Sequence, residues 1–271
     1  MIKPNWQPTK AAYWKHLPPP ARPWPSEVAW FEKYVLEKKK KGKKDVLILG
    51  STVEFRSMLH KNKMKVYVVD FSKKFFKILS KQPMRYKGPE VFYEQNWLTM
   101  NLGKKFDLIF GDWVPNVIHS KEYYKFFKQI LKHLKPDGLF IGREALRPNQ
   151  TKVDLKKVLF RHYHNYSAQY SFYESSMHYI YGYRPDPKTA MWNMAKSKQA
   201  VEDAHTKGLF KKEIDYQQVH DALAIEKDGS MSMMIKGNFE RIAKIYFKIL
   251  AEHHVTEPSS DWFPIYVMRK K

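Results

Sequence analysis

The stretch Asp45-Val46-Leu47-Ile48-Leu49-Gly50-Ser51-Thr52 decides the fold class. Four apolar residues run without alternation and end in a glycine. An alternating pattern marks a strand with one wet face, whereas a continuous run marks a strand buried on both. Such strands belong to parallel sheets with helices on either side.

The flanking sequence repeats the theme. Val66-Tyr67-Val68-Val69 is a second run, ending in Asp70. Val91-Phe92-Tyr93, Phe106-Asp107-Leu108-Ile109-Phe110 and Leu139-Phe140-Ile141 are further strands. Apolar residues at helical spacing separate them: Phe55, Met58, Leu59; then Phe75, Phe76, Leu79. Ser120 is expected to cap a helix over 121–134, and Pro136-Asp137-Gly138 to form a turn. Before the first strand, Ser26 is expected to cap a helix carrying Val28, Phe31, Tyr34 and Val35. The arm ahead of it holds Trp6, Tyr13, Trp14 and Trp24, with a short helix near Lys10–His16. Beyond Arg143 the pattern predicts helices over 151–162, 168–181, 187–206 and 238–254, then a strand at 262–268. Strands alternating with helices at this spacing predict an α/β fold with a doubly wound, mostly parallel sheet. An N-terminal arm and a helical C-terminal lobe or lid complete it.

Composition narrows the chemistry. The chain has 271 residues and no cysteine, so disulfides, thiolate metal sites and a cysteine nucleophile are excluded. No His/Asp/Glu spacing suggests a metal site. No apolar run suits a signal core or a membrane span, and a cytoplasmic protein is expected. The net charge is +22. Residues 1–44 carry 11 basic and 3 acidic residues, with a peak at Lys38, Lys39, Lys40, Lys41, Lys43 and Lys44. That run suits nucleic acid or another polyanion. It equally suits a solvated helix end, where lysines complement the dipole.

Ligands of an open parallel sheet bind at the carboxyl ends of its strands. The residues there are Gly50-Ser51-Thr52, Asp70-Phe71, Asn96-Trp97, Asp112-Trp113 and Arg143-Glu144. A carboxylate at position 70 suits the ribose hydroxyls of a nucleoside cofactor; it also suits a plain strand-end turn. A dinucleotide needs several glycines after the first strand so that backbone can approach a pyrophosphate. Here Gly50 is followed by Ser-Thr-Val-Glu, which argues against NAD.

In order and spacing, Val46–Gly50, Asp70, Phe106–Asp112 and Leu134-Lys135-Pro136-Asp137-Gly138-Leu139 resemble the class I S-adenosylmethionine-dependent methyltransferases. The resemblance covers about residues 26–146. It implies a Rossmann-like cofactor-binding core over 45–146, preceded by an arm and helix over 1–44. A helical lobe over 147–271 follows, with a C-terminal strand returning to the sheet. It implies S-adenosylmethionine as cofactor, with Gly50, Ser51 and Thr52 along its methionine part. Asp70 would bind the ribose, Phe71 and Asn96 the adenine, with Trp97 beside them. Asp112 would approach the methionine amino group or the substrate. Phe71 and Trp97 serve equally as core packing. The sequence departs from the family in its single loop glycine and in Ile48, where an acidic residue is frequent. Thr52 and Glu54 read as a variant loop. Asp112-Trp113-Val114-Pro115-Asn116 is not the motif of amino-directed DNA methyltransferases.

Methyl transfer from a sulfonium needs alignment first and a base only if the nucleophile must lose a proton. His119 is the candidate base, with His162, His164 and His178 behind it; a capping role suits His119 as well. Tyr170, Tyr173, Tyr179, Tyr181 and Tyr183 either line a substrate pocket or pack the lobe. The expected acceptor is an oxygen or nitrogen nucleophile of a small molecule. The alternatives are an RNA methyltransferase docking through its basic segment and a non-catalytic nucleic-acid-binding protein on a degenerate methyltransferase fold.

Overall fold

The computed structural model describes residues 17–149, 153–186, 188–224 and 231–271. The expected helix near Lys10–His16 and Trp6, Tyr13 and Trp14 lie outside them. Five parallel strands form the main sheet: β1 (Asp45–Leu49), β2 (Lys65–Asp70), β3 (Glu90–Glu94), β4 (Phe106–Asp112) and β5 (Leu134–Arg143). Two antiparallel strands, β6 (Phe247–His253) and β7 (Ile265–Lys270), extend it in the order β3-β2-β1-β4-β5-β7-β6.

The unbroken apolar runs bury both faces of the sheet. Val46, Ile48, Leu108 and Phe110 face α1 (Pro25–Lys40) and α2 (Val53–Lys61). There Phe31 packs on Phe55 at 4.3 Å and edge-on to Phe110 at 5.0 Å between ring centroids. The intervening residues Leu47, Leu49, Ile109 and Phe140 face α4 (Tyr123–His133) and α9 (Lys236–Tyr246). A short α3 (Lys73–Ser80) links β2 to β3. Between β5 and α9 lie α5 (Leu155–Arg161), α6 (Phe172–Tyr181), α7 (Met194–Thr206) and α8 (Glu213–Ala224). They share a second core around Phe172, Met177, Trp192, Val219 and Trp262.

Local chemistry moves several boundaries. Helix α1 starts at Pro25, not after Ser26: Pro occupies the first helical position and the Glu27 carboxylate accepts the Trp24 N–H at 2.7 Å. The Ser26 hydroxyl instead donates to Glu257. Ser120 lies inside a 3₁₀ turn, Ser120–Glu122, whose cap is His119. Pro136-Asp137-Gly138 belongs to β5, as an irregularity where the register jumps from Phe106↔Leu134 to Leu108↔Leu139. The predicted helix over 238–254 ends at Tyr246, and its second half is β6, an edge strand paired with β7. Helix α8 was not foreseen: Ile214 on it is exposed, so its apolar stripe is narrow.

At Gly138 the backbone passes close to its neighbours. A Cβ there would lie 2.9 Å from the Phe106 carbonyl oxygen and 3.0 Å from that of Lys135. Gly138→Ala is therefore expected to cost about 1–3 kcal/mol, measured as a lower urea midpoint at unchanged slope.

Candidate active site

Strand order reverses beside β1, whose neighbours are β2 and β4. The crevice outside the carboxyl ends of these strands is where an open α/β sheet holds its ligand. Gly50 leaves β1 with φ +86°, a left-handed conformation that favours glycine, and its N–H bonds the Val69 carbonyl. This turn brings Ser51 against the end of β2. The Ser51 hydroxyl donates to Asp70 Oδ2 at 2.8 Å, and the Ser72 N–H donates to Oδ1 at 3.2 Å. Asp70 is 4 % exposed, and burial pushes its carboxyl up to about 6 against the pull of these bonds.

The neighbouring aromatics divide their work. Trp97 is buried, donates its indole N–H to the Val69 carbonyl at 2.9 Å and lies beneath Gly50; it is floor. Phe71 is half-buried and meets Trp97 edge-on at 6.0 Å. Asn96 accepts the Leu98 N–H with Oδ1, and its amide group donates to no described residue.

At the ends of β4 and β5 stands a buried charge cluster whose wiring the sequence did not reveal. Arg143 has a fully buried side chain, pairing with Glu27 of α1 at 2.8 Å and with Asp112 at 2.9 Å. It also donates to the Pro20 carbonyl at 2.7 Å, tying residues leading into α1 across the strand ends. Nearby, Arg22 pairs with Glu54 in the first turn of α2 at 2.5 Å, and Thr52 supports the Asp112 carboxylate. Burial raises Glu27, Glu54 and Asp112, and holds Glu144 well above the usual carboxylate range. Among the described residues neither Glu144 oxygen has a hydrogen-bond partner. Five carboxyls of described residues at these strand ends, Asp70 included, thus stand against two guanidiniums. The Arg143-Glu144 pair directly after a buried strand was the one signal available. The Glu27 and Arg22 partners are too distant in sequence to read.

Trp113 carries φ +55°, strained for a side chain of its bulk. It is held by its N–H to the Arg143 carbonyl at 2.8 Å and by stacking on Phe263 at 5.2 Å. Asn116 fastens the loop after β4 to the start of the lobe, bonding both Ala145 backbone groups and the Ser232 carbonyl. His119 accepts the Lys121 N–H as a cap. His162 is engaged with Ser175, and His178 is fully buried in the lobe against Trp262 and Phe263. Tyr173 and Tyr181 are buried in the lobe core as well.

The sequence pattern of the spermine/spermidine synthase domain matches residues 64–207, more than half of the chain. The chain belongs to that family. No curated protein matches this family member over its sequence. Among solved structures it is similar to magnesium protoporphyrin IX methyltransferase from Synechocystis with S-adenosylhomocysteine bound. That similarity has 11% identity over 90% of this chain and 82% of the other, with TM-score 0.50. An S-adenosylmethionine-dependent methyltransferase from Clostridium acetobutylicum gives 14% identity over 88% and 90%, with TM-score 0.50. A protein from Rhodobacter sphaeroides described as a Zn-dependent alcohol dehydrogenase gives 13% identity over 97% and 98%, with TM-score 0.58. At these identities the likeness is one of fold. The fold is the Rossmann-like one of the S-adenosylmethionine-dependent methyltransferases, as the strand pattern led us to expect.

Two measurements probe the site's electrostatics. The Asp70 carboxyl rises from its ordinary 3.8 to about 6, so its ionisation opposes folding. That contribution to stability is intact below about pH 4 and is lost as pH rises through about 6, a difference of about 3 kcal/mol. Urea unfolding of Asp70→Asn should therefore show a gain over the parent at pH 8 that is absent at pH 4. Arg143→Met strands buried carboxylates and is expected to cost about 3–5 kcal/mol at pH 8, partly recovered when Glu27→Gln is added.

Proposed function

We propose that this chain is an S-adenosylmethionine-dependent methyltransferase acting on an oxygen or nitrogen nucleophile of a small molecule. The observation that carries the reading is Asp70, a buried carboxyl at the topological switch point beside the left-handed turn at Gly50. The donor set fits the cofactor in charge. S-adenosylmethionine brings a sulfonium and an ammonium, and the strand ends offer more carboxyls than guanidiniums.

When bound, the cofactor supplies a methyl group on a positively charged sulfur. Asp70 would hold the ribose hydroxyls, with Ser51 supporting the carboxylate. Gly50 and Thr52 would border the methionine part, Phe71 and the amide of Asn96 the adenine, and Asp112 the amino group. Trp97 supports the loop from below. The acceptor would approach over the strand ends beneath the helical lobe, which would keep water from the transfer. In that displacement the chain's task is alignment. The carboxyl surplus and the family match together favour an amine as acceptor. Support for a small acceptor over RNA comes from the lysine run at 38–44, at the opposite edge of the sheet from Asp70.

Calorimetric titration with S-adenosylmethionine and then S-adenosylhomocysteine tests the reading. Micromolar binding of both is expected, with Asp70→Ala weakening each by about 10- to 100-fold. Absence of binding to folded protein would end this reading.

A further inference from the structure

The edge opposite the candidate site has its own character. The parallel strands all start there, α1, α2 and α4 all end there, and β7 finishes there beside the start of β6. Three carboxylates on this edge are engaged by lysines, while Glu37 lines one hollow with Lys41 and has no ion pair to a described residue. Asp45 holds Lys104 and Lys135 at 3.0 Å, Asp107 holds Lys135 at 3.0 Å, and Asp137 holds Lys38 and Lys43 at 3.6 and 3.7 Å. What remains is a row of exposed lysines with no ion pair to a described residue: Lys41, Lys44, Lys63, Lys65, Lys105 and Lys270.

Their order follows the sheet. Lys63 and Lys65 stand at β2, Lys41 and Lys44 at β1, Lys105 at β4, and Lys270 at β7. The Lys65 N–H bonds the Lys44 carbonyl at 2.9 Å, so the first two groups are adjacent. Strands spaced by about 4.8 Å place β2 and β7 about 19 Å apart. One nucleic-acid strand advances about 3.4 Å per phosphate, so the row spans five to six phosphates, roughly. Helix dipoles explain lysines in a last helical turn. They do not explain Lys63, Lys65, Lys105 and Lys270, which stand in turns and at strand ends. The far edge, with Glu27, Glu54, Asp70, Asp112 and Glu144, repels the same ligand.

We infer that the amino edge of the sheet is a docking surface for the phosphate backbone of a nucleic-acid duplex, bound through charge and away from the transfer site. The footprint differs from the sequence run. Lys38 and Lys43 are committed to Asp137, whereas lysines from three other parts of the chain join it. A duplex docked here lies a strand's length from Asp70, about 20 Å, so it tethers the protein and is not the methyl acceptor. The inference stands independently of the transferase reading.

The test uses the full chain and a short fluorescein-labelled RNA duplex, with a DNA duplex of equal length and phosphatidylserine-containing vesicles in parallel. Anisotropy titrations are run across a salt series. Duplex binding should weaken linearly in log–log form with salt. Replacing Lys41, Lys44, Lys63, Lys65, Lys105 and Lys270 by Gln should lower affinity at least 100-fold, roughly, and flatten the salt slope by about 5. A control variant with Lys156, Lys157, Lys196, Lys198, Lys207 and Lys212 changed to Gln has the same net charge and should keep most of the affinity. Saturating duplex should leave S-adenosylhomocysteine binding within about twofold, if that ligand binds at all; stronger interference would move the footprint to the carboxyl edge. No duplex binding, equal losses in both variants, or binding to vesicles in preference to duplex would each overturn the inference.

Discussion

Arg143 is the constraint on which the carboxyl edge depends. Its guanidinium is withdrawn from water and reaches α1 through Glu27, β4 through Asp112 and the entering chain through the Pro20 carbonyl. A buried charge is tolerable only where counter-charges and acceptors surround it. Each of these partners is therefore fixed in place by the others. The same residue covers the aromatic pair Trp113 and Phe263, at 5.4 and 5.0 Å from the ring centroids, and so helps to hold a backbone that would otherwise relax.

This arrangement explains how a strongly basic protein presents an acidic crevice. Cations gather where helices end and strands begin, while carboxyls gather where strands end. Burial raises the proton affinity of the second group, so its ionised form is favoured when something positive arrives beside it. The sulfonium and ammonium of the proposed cofactor meet that condition. A polyanion meets the opposite one.

Much of the fold was legible because its strands are buried on both faces and read as unbroken apolar runs; Val46–Leu49 and Phe106–Phe110 are the clearest. β6 was not legible. The helical spacing of Phe239, Ile242, Ala243 and Tyr246 runs into Phe247, Ile249 and Ala251 with no glycine or proline between, so only pairing with β7 ends the helix. The site divides in the same way. Asp70 and Ser51 were readable because they directly follow strands. Trp97 packs beneath Gly50 with its indole N–H bonded to the Val69 carbonyl, a contact that its place after β3 did not announce. The pairing of Arg143 with Glu27 is a long-range contact that no local pattern encodes.

The Arg147 N–H bonds the Met234 carbonyl and the Lys236 N–H bonds the Arg147 carbonyl, both at 2.9 Å. Helices α5 to α8 lie between these two points and stand off the sheet through one narrow neck, whereas beyond it α9 packs on the sheet and β6 belongs to it. A loop pinned at its base is thermodynamically insensitive to its own length, since closure entropy grows only logarithmically. The lobe is thus free to vary in size and lining while the strand ends beneath it stay unchanged. In evolutionary terms it is an exchangeable cap over a fixed set of strand ends.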